Sequence, residues 1–242
     1  MPAESFTRKW VAVIPAYREV SRIAAVVQGV RRHGLTPVVV DDGSEDGTAA
    51  AATAAGAIAV SHPVNRGKGA ALDTGIRRAS ELNADWIVTM DADGQHDPDD
   101  LPSFLSAAHA PDAAVLVGNR MEHVEGMPMV RRCTNWLMSW LLSRTMGQRV
   151  PDTQCGYRAY ARDILARFHT DSTHFDAESE ILIRIARAGI RIDSVPIRTI
   201  YRDERSKIRP VRDTLRFLRM WRRCRKLPTS VKNSLRRLPR LP

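Results

Sequence analysis

The sequence predicts an α/β fold: a mainly parallel sheet with helices on both faces. Three observations carry this. Short apolar runs alternate with amphipathic stretches of helical length along the first half of the 242-residue chain. The polar residues with chemical potential gather just after the apolar runs, where open α/β sheets bind ligands. The composition, 43% hydrophobic and 26% charged, is that of a chain able to bury one large core.

In order, residues 10–14 read as a strand and 19–32 as a helix. Residues 37–40 and 46–55 repeat the unit, as do 57–61 and 68–82, then 86–90 and 98–108, before a strand at 113–117. Asp97, Asp99 and Asp100 read as a turn and an acidic first helical turn, with Pro98 at a first helical position. The second half is less regular. Residues 131–146 look helical, with Trp136, Leu137, Trp140 and Leu141 on one side. Residues 151–160 look like a polar loop or edge, 176–188 like a helix and 191–200 like a strand. Trp136 and Trp140 read as core positions, with a membrane interface as the alternative. The expected organisation is one domain over 1–208 and a basic tail over 209–242.

Charge is unevenly placed. Residues 201–242 hold 15 Lys/Arg against 3 Asp/Glu, a net +12, whereas residues 1–200 sum to −2. On a helical projection of 211–227, Arg212, Arg216, Arg219, Arg223 and Lys226 form one stripe. Phe217, Leu218, Met220, Trp221, Cys224 and Leu227 lie opposite. This is the pattern of a helix lying on an anionic membrane surface. The tail shows no nucleic-acid motif, so no nucleic-acid partner is expected. Three cysteines, Cys133, Cys155 and Cys224, lack zinc-ligand spacing and point to a reducing compartment. Lys9 and Arg18 flank only a short apolar strand, so no signal peptide is read there. The uncharged run 134–143 is too short to span a bilayer. A cytoplasmic protein, peripheral on the inner face of a membrane, is the expectation.

The residues with the sharpest chemistry are Asp91, Asp93 and Gln95, following the run 86–90. In extended backbone, side chains two apart face the same way, so these oxygens would form a row able to hold Mg²⁺ or Mn²⁺. Asp41-Asp42-Gly43-Ser44 follows 38–40. Its carboxylates suit a base or ribose, while Ser44 and Asp46 equally suit a helix cap and first turn. Asn65-Arg66-Gly67-Lys68-Gly69 opens a helix as a plausible anion site.

These blocks, with Val11-Ala12-Val13-Ile14-Pro15-Ala16-Tyr17-Arg18-Glu19 before them, resemble in order and spacing the family-2 glycosyltransferases, which have the GT-A fold. Asp152-Thr153-Gln154-Cys155-Gly156-Tyr157-Arg158, Phe175-Asp176-Ala177-Glu178 and Glu204-Arg205-Ser206-Lys207 resemble the polyprenyl-phosphate sugar transferases within it. The resemblance implies a hexose moved from a nucleotide sugar to polyprenyl phosphate, with Mg²⁺ or Mn²⁺. It favours UDP-glucose, with GDP-mannose or a soluble acceptor as alternatives.

By the same resemblance Pro15, Ala16, Tyr17, Glu19, Asp42, Lys68, Asp91, Ala92 and Asp93 line the donor pocket. Asp91, Asp93 and Gln95 hold the metal. Arg120, Arg131 (or Arg132), Arg205, Ser206 and Lys207 meet phosphates, and Gln154, Asp176 and Glu178 face the sugar or acceptor with Asp152. Asp93, Asp152, Arg120 and Arg131 form the catalytic set. Relatives often carry transmembrane helices after this domain. A membrane partner protein, the surface helix alone or a soluble acceptor are the readings left open by this chain.

Overall fold

Apolar β-branched runs place β1 (Trp10–Ala16), β2 (Thr36–Asp41), β3 (Ile58–Ser61) and β4 (Trp86–Thr89) side by side, and the computed structural model describes residues 8–167, 176–198, 200 and 221–222. With β5 (Val115–Asn119), β6 (Arg158–Ala161) and β7 (Ile192–Pro196) they form a seven-stranded sheet in the order β3-β2-β1-β4-β6-β5-β7. All pairings are parallel except those of β6, which runs antiparallel between β4 and β5.

Val11, Val13, Ile14, Val38, Val39, Ile87 and Val88 are fully buried, so these strands read as continuous apolar runs rather than alternating ones. Each such side chain contributes about 1.5–3 kcal/mol by leaving water. Trp10 and Trp86, paired in register, stack at 5.1 Å.

The helices are α1 (Ile23–Arg32), α2 (Thr48–Ala54), α3 (Lys68–Glu81), α4 (Leu101–Ala107), α5 (Met129–Met146), α6 (Arg162–Arg167) and α7 (Asp176–Arg187). Small residues let α3 lie close to the sheet: Ala71 and Ala79 are fully buried, and a Cβ on Gly75 would meet Val13 Cγ1 at 2.3 Å. That approach sets the α3 N-terminus, with Lys68, over the carboxyl ends of the strands.

Several expectations are corrected. The helix foreseen from residue 19 starts at Ile23, because Arg18 takes a φ of 58° and residues 19–22 make a turn. The one foreseen from residue 46 starts at Thr48, after Gly47 at φ 88°. Ser44 is no cap: its Oγ accepts from Arg18 N–H at 2.8 Å. The foreseen helix over 98–108 is a 3₁₀ turn, Pro98–Asp100, followed by α4, and Asp97 does cap that turn through Asp99 N–H at 3.0 Å. The foreseen strand at 113–117 lies two residues later.

The largest correction concerns residues 151–160, read as a polar loop or edge. They are interior: Asp152, Thr153, Tyr157 and Arg158 are essentially inaccessible, and β6 is an inner strand of the sheet. Trp136 and Trp140, read as core, point outward at 60% and 43% exposure. No helix among the described residues is long and apolar enough to cross a membrane. Arg205, Ser206, Lys207 and the tail over 209–242, apart from Trp221 and Arg222, lie outside the described residues.

Candidate active site

The sheet order places β1 between β2 and β4, so the chain leaves the sheet in opposite directions on either side of β1. This is the position where α/β sheets open a ligand crevice. The ends of β1, β2 and β4 deliver Tyr17, Asp42 and Asp91 to it.

Pro15 and Ala16 finish β1, and Tyr17 follows at 38% exposure under the Arg18 guanidinium, 5.2 Å from its ring centre. Glu19 is buried; its backbone N–H donates to Thr48 Oγ1 and its carboxylate pairs with Arg22 at 3.1 Å.

Asp42 is buried and fully engaged. Its Oδ1 accepts from Arg66 N–H at 2.9 Å and His62 Nδ1–H at 2.7 Å, and its Oδ2 from Gly67 N–H at 2.7 Å. In this arrangement Asp42 anchors the loop that precedes Lys68. We expect Asp42→Asn to cost about 1–3 kcal/mol, since either amide orientation sets an NH₂ against a backbone N–H. Urea denaturation measures it, and an unchanged midpoint would refute the anchor role.

Lys68 meets Asp91 Oδ1 at 2.6 Å and Glu178 Oε1 at 3.1 Å. Burial opposes its charge, but the two carboxylates outweigh this and hold its pKa above the ordinary lysine value. Burial likewise works against the Asp91 charge, yet the Lys68 ammonium holds that carboxyl well below the usual range. Gly156 closes the wall: a Cβ there would stand 3.2 Å from Lys68 Nζ and 3.4 Å from Asp91 Oδ2.

Asp93 behaves oppositely. Burial, then the neighbouring Asp91 carboxylate, push its carboxyl up. The row of side chains expected from extended backbone is absent. β4 stops at Thr89, residues 92–94 turn, Gly94 takes a φ of 73°, and Gln95 N–H donates to Asp93 Oδ1 at 2.9 Å. The turn, not strand alternation, brings the two carboxylates together. Ala92 is buried within it.

His96 supports the turn. Asp91 N–H donates to His96 Nδ1 at 3.0 Å, so the ring proton sits on Nε2, and burial keeps the ring neutral. The ring stacks on Tyr157 at 5.1 Å, which stacks on Phe104 at 4.6 Å.

Two close carboxylates, one forced upward by the other, form a hard-oxygen pair that a divalent cation relieves. Among the described residues no group of three or more His, Cys, Asp or Glu side chains that could hold a metal ion comes together. Asp91 and Asp93 are a pair, and with Gln95 next in the chain they offer oxygen donors of the kind that Mg²⁺ or Mn²⁺ takes.

Arg120 and Asp152 make a buried bidentate pair: Nε to Oδ2 at 2.7 Å and Nη2 to Oδ1 at 2.9 Å, with Arg120 N–H also reaching Oδ2 at 3.2 Å. Gln154 lies next to it, its N–H 3.3 Å from Asp152 Oδ1. Arg131 stands in the first turn of α5, away from this pair in sequence, with Arg132 exposed beside it. Asp176 opens α7.

Sequence reasoning quoted Arg158 in a motif but gave it no role. Fully buried, it donates from Nε to Cys155 O at 2.7 Å, from Nη2 to Thr153 O at 2.9 Å, and from Nη1 to Glu178 O at 2.7 Å. It fastens residues 153–155 to the start of α7, and so fixes Glu178 beside Lys68. With residues 151–160 read as a polar loop or edge, no local signal marked it.

A family model described as glycosyl transferase family 2 matches residues 11–168. The chain belongs to glycosyl transferase family 2.

Relatives agree. A UDP-N-acetylglucosamine–dolichyl-phosphate N-acetylglucosaminyltransferase of Methanococcus voltae is 32% identical over 212 residues, covering 78% of this chain and 84% of the relative. An undecaprenyl-phosphate mannosyltransferase of Micrococcus luteus is 32% identical over 210 residues, covering 80% and 84%. Among solved structures, glucosyl-3-phosphoglycerate synthase from Mycobacterium tuberculosis, in complex with Mn²⁺, uridine diphosphate and phosphoglyceric acid, matches with a TM-score of 0.69 at 23% identity. It covers 93% of this chain and 81% of that one. The last likeness concerns the fold, which is GT-A as the resemblance implied. This family-2 enzyme is a glycosyltransferase.

Proposed function

We propose that this glycosyltransferase moves a hexose from a nucleotide sugar to a polyprenyl phosphate, inverting at the anomeric carbon, at the inner face of a membrane. The observation that carries the reading is the Asp91–Asp93 pair set against Lys68 at the crevice. It is supported by the names of the two curated relatives, both transferases to lipid phosphates. UDP-glucose is the donor we favour, from the likeness of the Asp41–Ser44 and Asn65–Gly69 blocks to glucosyl-type members.

A lipid phosphate is already an anionic nucleophile near neutral pH, so no strong base is required. One of its oxygens attacks the anomeric carbon as the bond to the nucleotide diphosphate breaks, and the diphosphate leaves with the electron pair. The chain supplies position and charge. Asp91, Asp93 and Gln95 would hold Mg²⁺ or Mn²⁺, which neutralises charge building on the leaving diphosphate. Lys68 is poised to pass from Asp91 to that diphosphate. Arg120, oriented by Asp152, adds positive charge beneath the site, and Glu178 and Gln154 face the sugar side. Arg131, Arg205, Ser206 and Lys207 complete the phosphate contacts in this reading, with Asp176 on the acceptor side.

The test offers the purified chain UDP-glucose, UDP-galactose, UDP-N-acetylglucosamine or GDP-mannose, with and without polyprenyl phosphate. One nucleotide diphosphate should be released, only with lipid and Mg²⁺ or Mn²⁺ present, and EDTA should stop it. Equal turnover on a water-soluble acceptor without lipid would overturn the lipid assignment.

A further inference from the structure

Helix α5 buries Leu142 and Met146 but also turns a large apolar arc outward. Its buried positions are Asn135, Ser139, Leu142 and Met146, and Asn135 Nδ2 has no hydrogen-bond partner there. Its outward arc carries Met129, Val130, Cys133, Trp136, Leu137 and Trp140, all exposed. A helix of a water-soluble surface places its apolar residues the other way. Five large apolar side chains facing out, 43% to 74% accessible, therefore need a second apolar phase.

Charge identifies that phase. The helix contains no Asp or Glu, while Arg132 borders the apolar arc and the Arg144 guanidinium lies over the Trp140 ring at 4.7 Å. Paired tryptophans with flanking arginines match the headgroup boundary of an anionic bilayer. Trp136 and Trp140 already lie near parallel, at 15° and 6.5 Å. Trp221 meets the same helix: its Nε1–H donates to Thr145 Oγ1 at 2.9 Å, beside a cavity of about 390 Å³ that Trp140 and Arg144 also line.

We propose that the outward face of α5 is a membrane-docking surface for anionic lipid. Its inner face explains the use. Ser139 Oγ accepts from Thr153 N–H at 2.9 Å and contacts Thr153 Oγ1 at 3.1 Å. Thr153 adjoins Asp152 and lies close in sequence to Gly156, where a Cβ would stand 3.2 Å from Lys68 Nζ and 3.4 Å from Asp91 Oδ2. One helix thus joins the lipid surface to the wall of the transfer site. The proposal rests on the lipid-acceptor reading for its purpose but not for its test.

The full chain is floated with phosphatidylcholine vesicles with or without phosphatidylglycerol, all lacking polyprenyl phosphate. Wild type should float with the anionic vesicles. Trp136→Ser/Trp140→Ser and, separately, Met129→Ser/Val130→Ser should each weaken flotation by about tenfold or more. The far-UV circular dichroism and thermal transition of each variant should match wild type, which shows each variant folded. Flotation equal to wild type in both variants would overturn the proposal. So would a vesicle-free dimer of the wild type that both variants convert to monomer, since the face would then belong to a second copy. Absence of transfer to polyprenyl phosphate in micelles, with flotation intact, would instead defeat the lipid-acceptor reading alone.

Discussion

Asp93→Ala should lower sugar transfer by about 10³-fold or more while leaving the folded structure intact. The two halves of this expectation have separate grounds. Asp93 is only partly buried, and its one described bond, from Gln95 N–H, lies in a turn that water can reach. Losing it costs about 1 kcal/mol, and removing its repulsion with Asp91 returns part of that. Activity has no such compensation, because Asp91 is already neutralised by Lys68 and cannot hold a divalent cation alone. Nucleotide release at saturating donor, read beside Mn²⁺ binding and the thermal transition, checks it. A variant with near-normal transfer would sink the metal assignment.

Arg120→Ala should destabilise the protein by about 3–5 kcal/mol, since it strands the Asp152 carboxylate in the interior. Asp152 accepts from Arg120 through both oxygens, with neither residue more than 5% exposed. Arg120→Lys should recover only part of the loss, because an ammonium cannot make the parallel fork. Arg120→Met combined with Asp152→Leu should cost less than the two single changes summed. Chemical denaturation of the set decides it. Small, additive effects would mean that the pair contributes little. If the pair is as strong as argued, a loss of activity in Arg120→Ala must be read at temperatures where the variant is still folded.

The first half of the fold was legible because β1, β2 and β4 are buried on both faces, so their apolar runs are local facts of the sequence. The order of the motifs likewise placed Tyr17, Asp42 and Asp91 at strand ends. What sequence could not display were partnerships across distance. Asp42 looked like an open ligand group because its partners, His62, Arg66 and Gly67, lie in another loop. Residues 151–160 looked peripheral because the partners of Asp152, Thr153 and Arg158 include Arg120, Ser139 and Glu178, which lie on other elements. The Asp91–Asp93 pairing was foreseen, but through alternation along a strand, whereas a glycine turn produces it. The stacked tryptophans of α5 misled for the opposite reason: apolar residues were assigned inward, and this helix carries apolar residues on its outward side as well.

The reversed strand β6 also fixes an order of events during synthesis. Strands β1 to β4 emerge as a contiguous parallel unit that can pair at once. The inner edge of β4 then stays bare until residues 158–161 leave the ribosome and pair as Trp86↔Ala161 through Thr89↔Arg158. The chain segment after that edge carries Asp91 and Asp93. Until then that edge and the two acidic residues stand uncovered together; β6 closes the edge of β4, and β7, emerging later still, completes the sheet against β5.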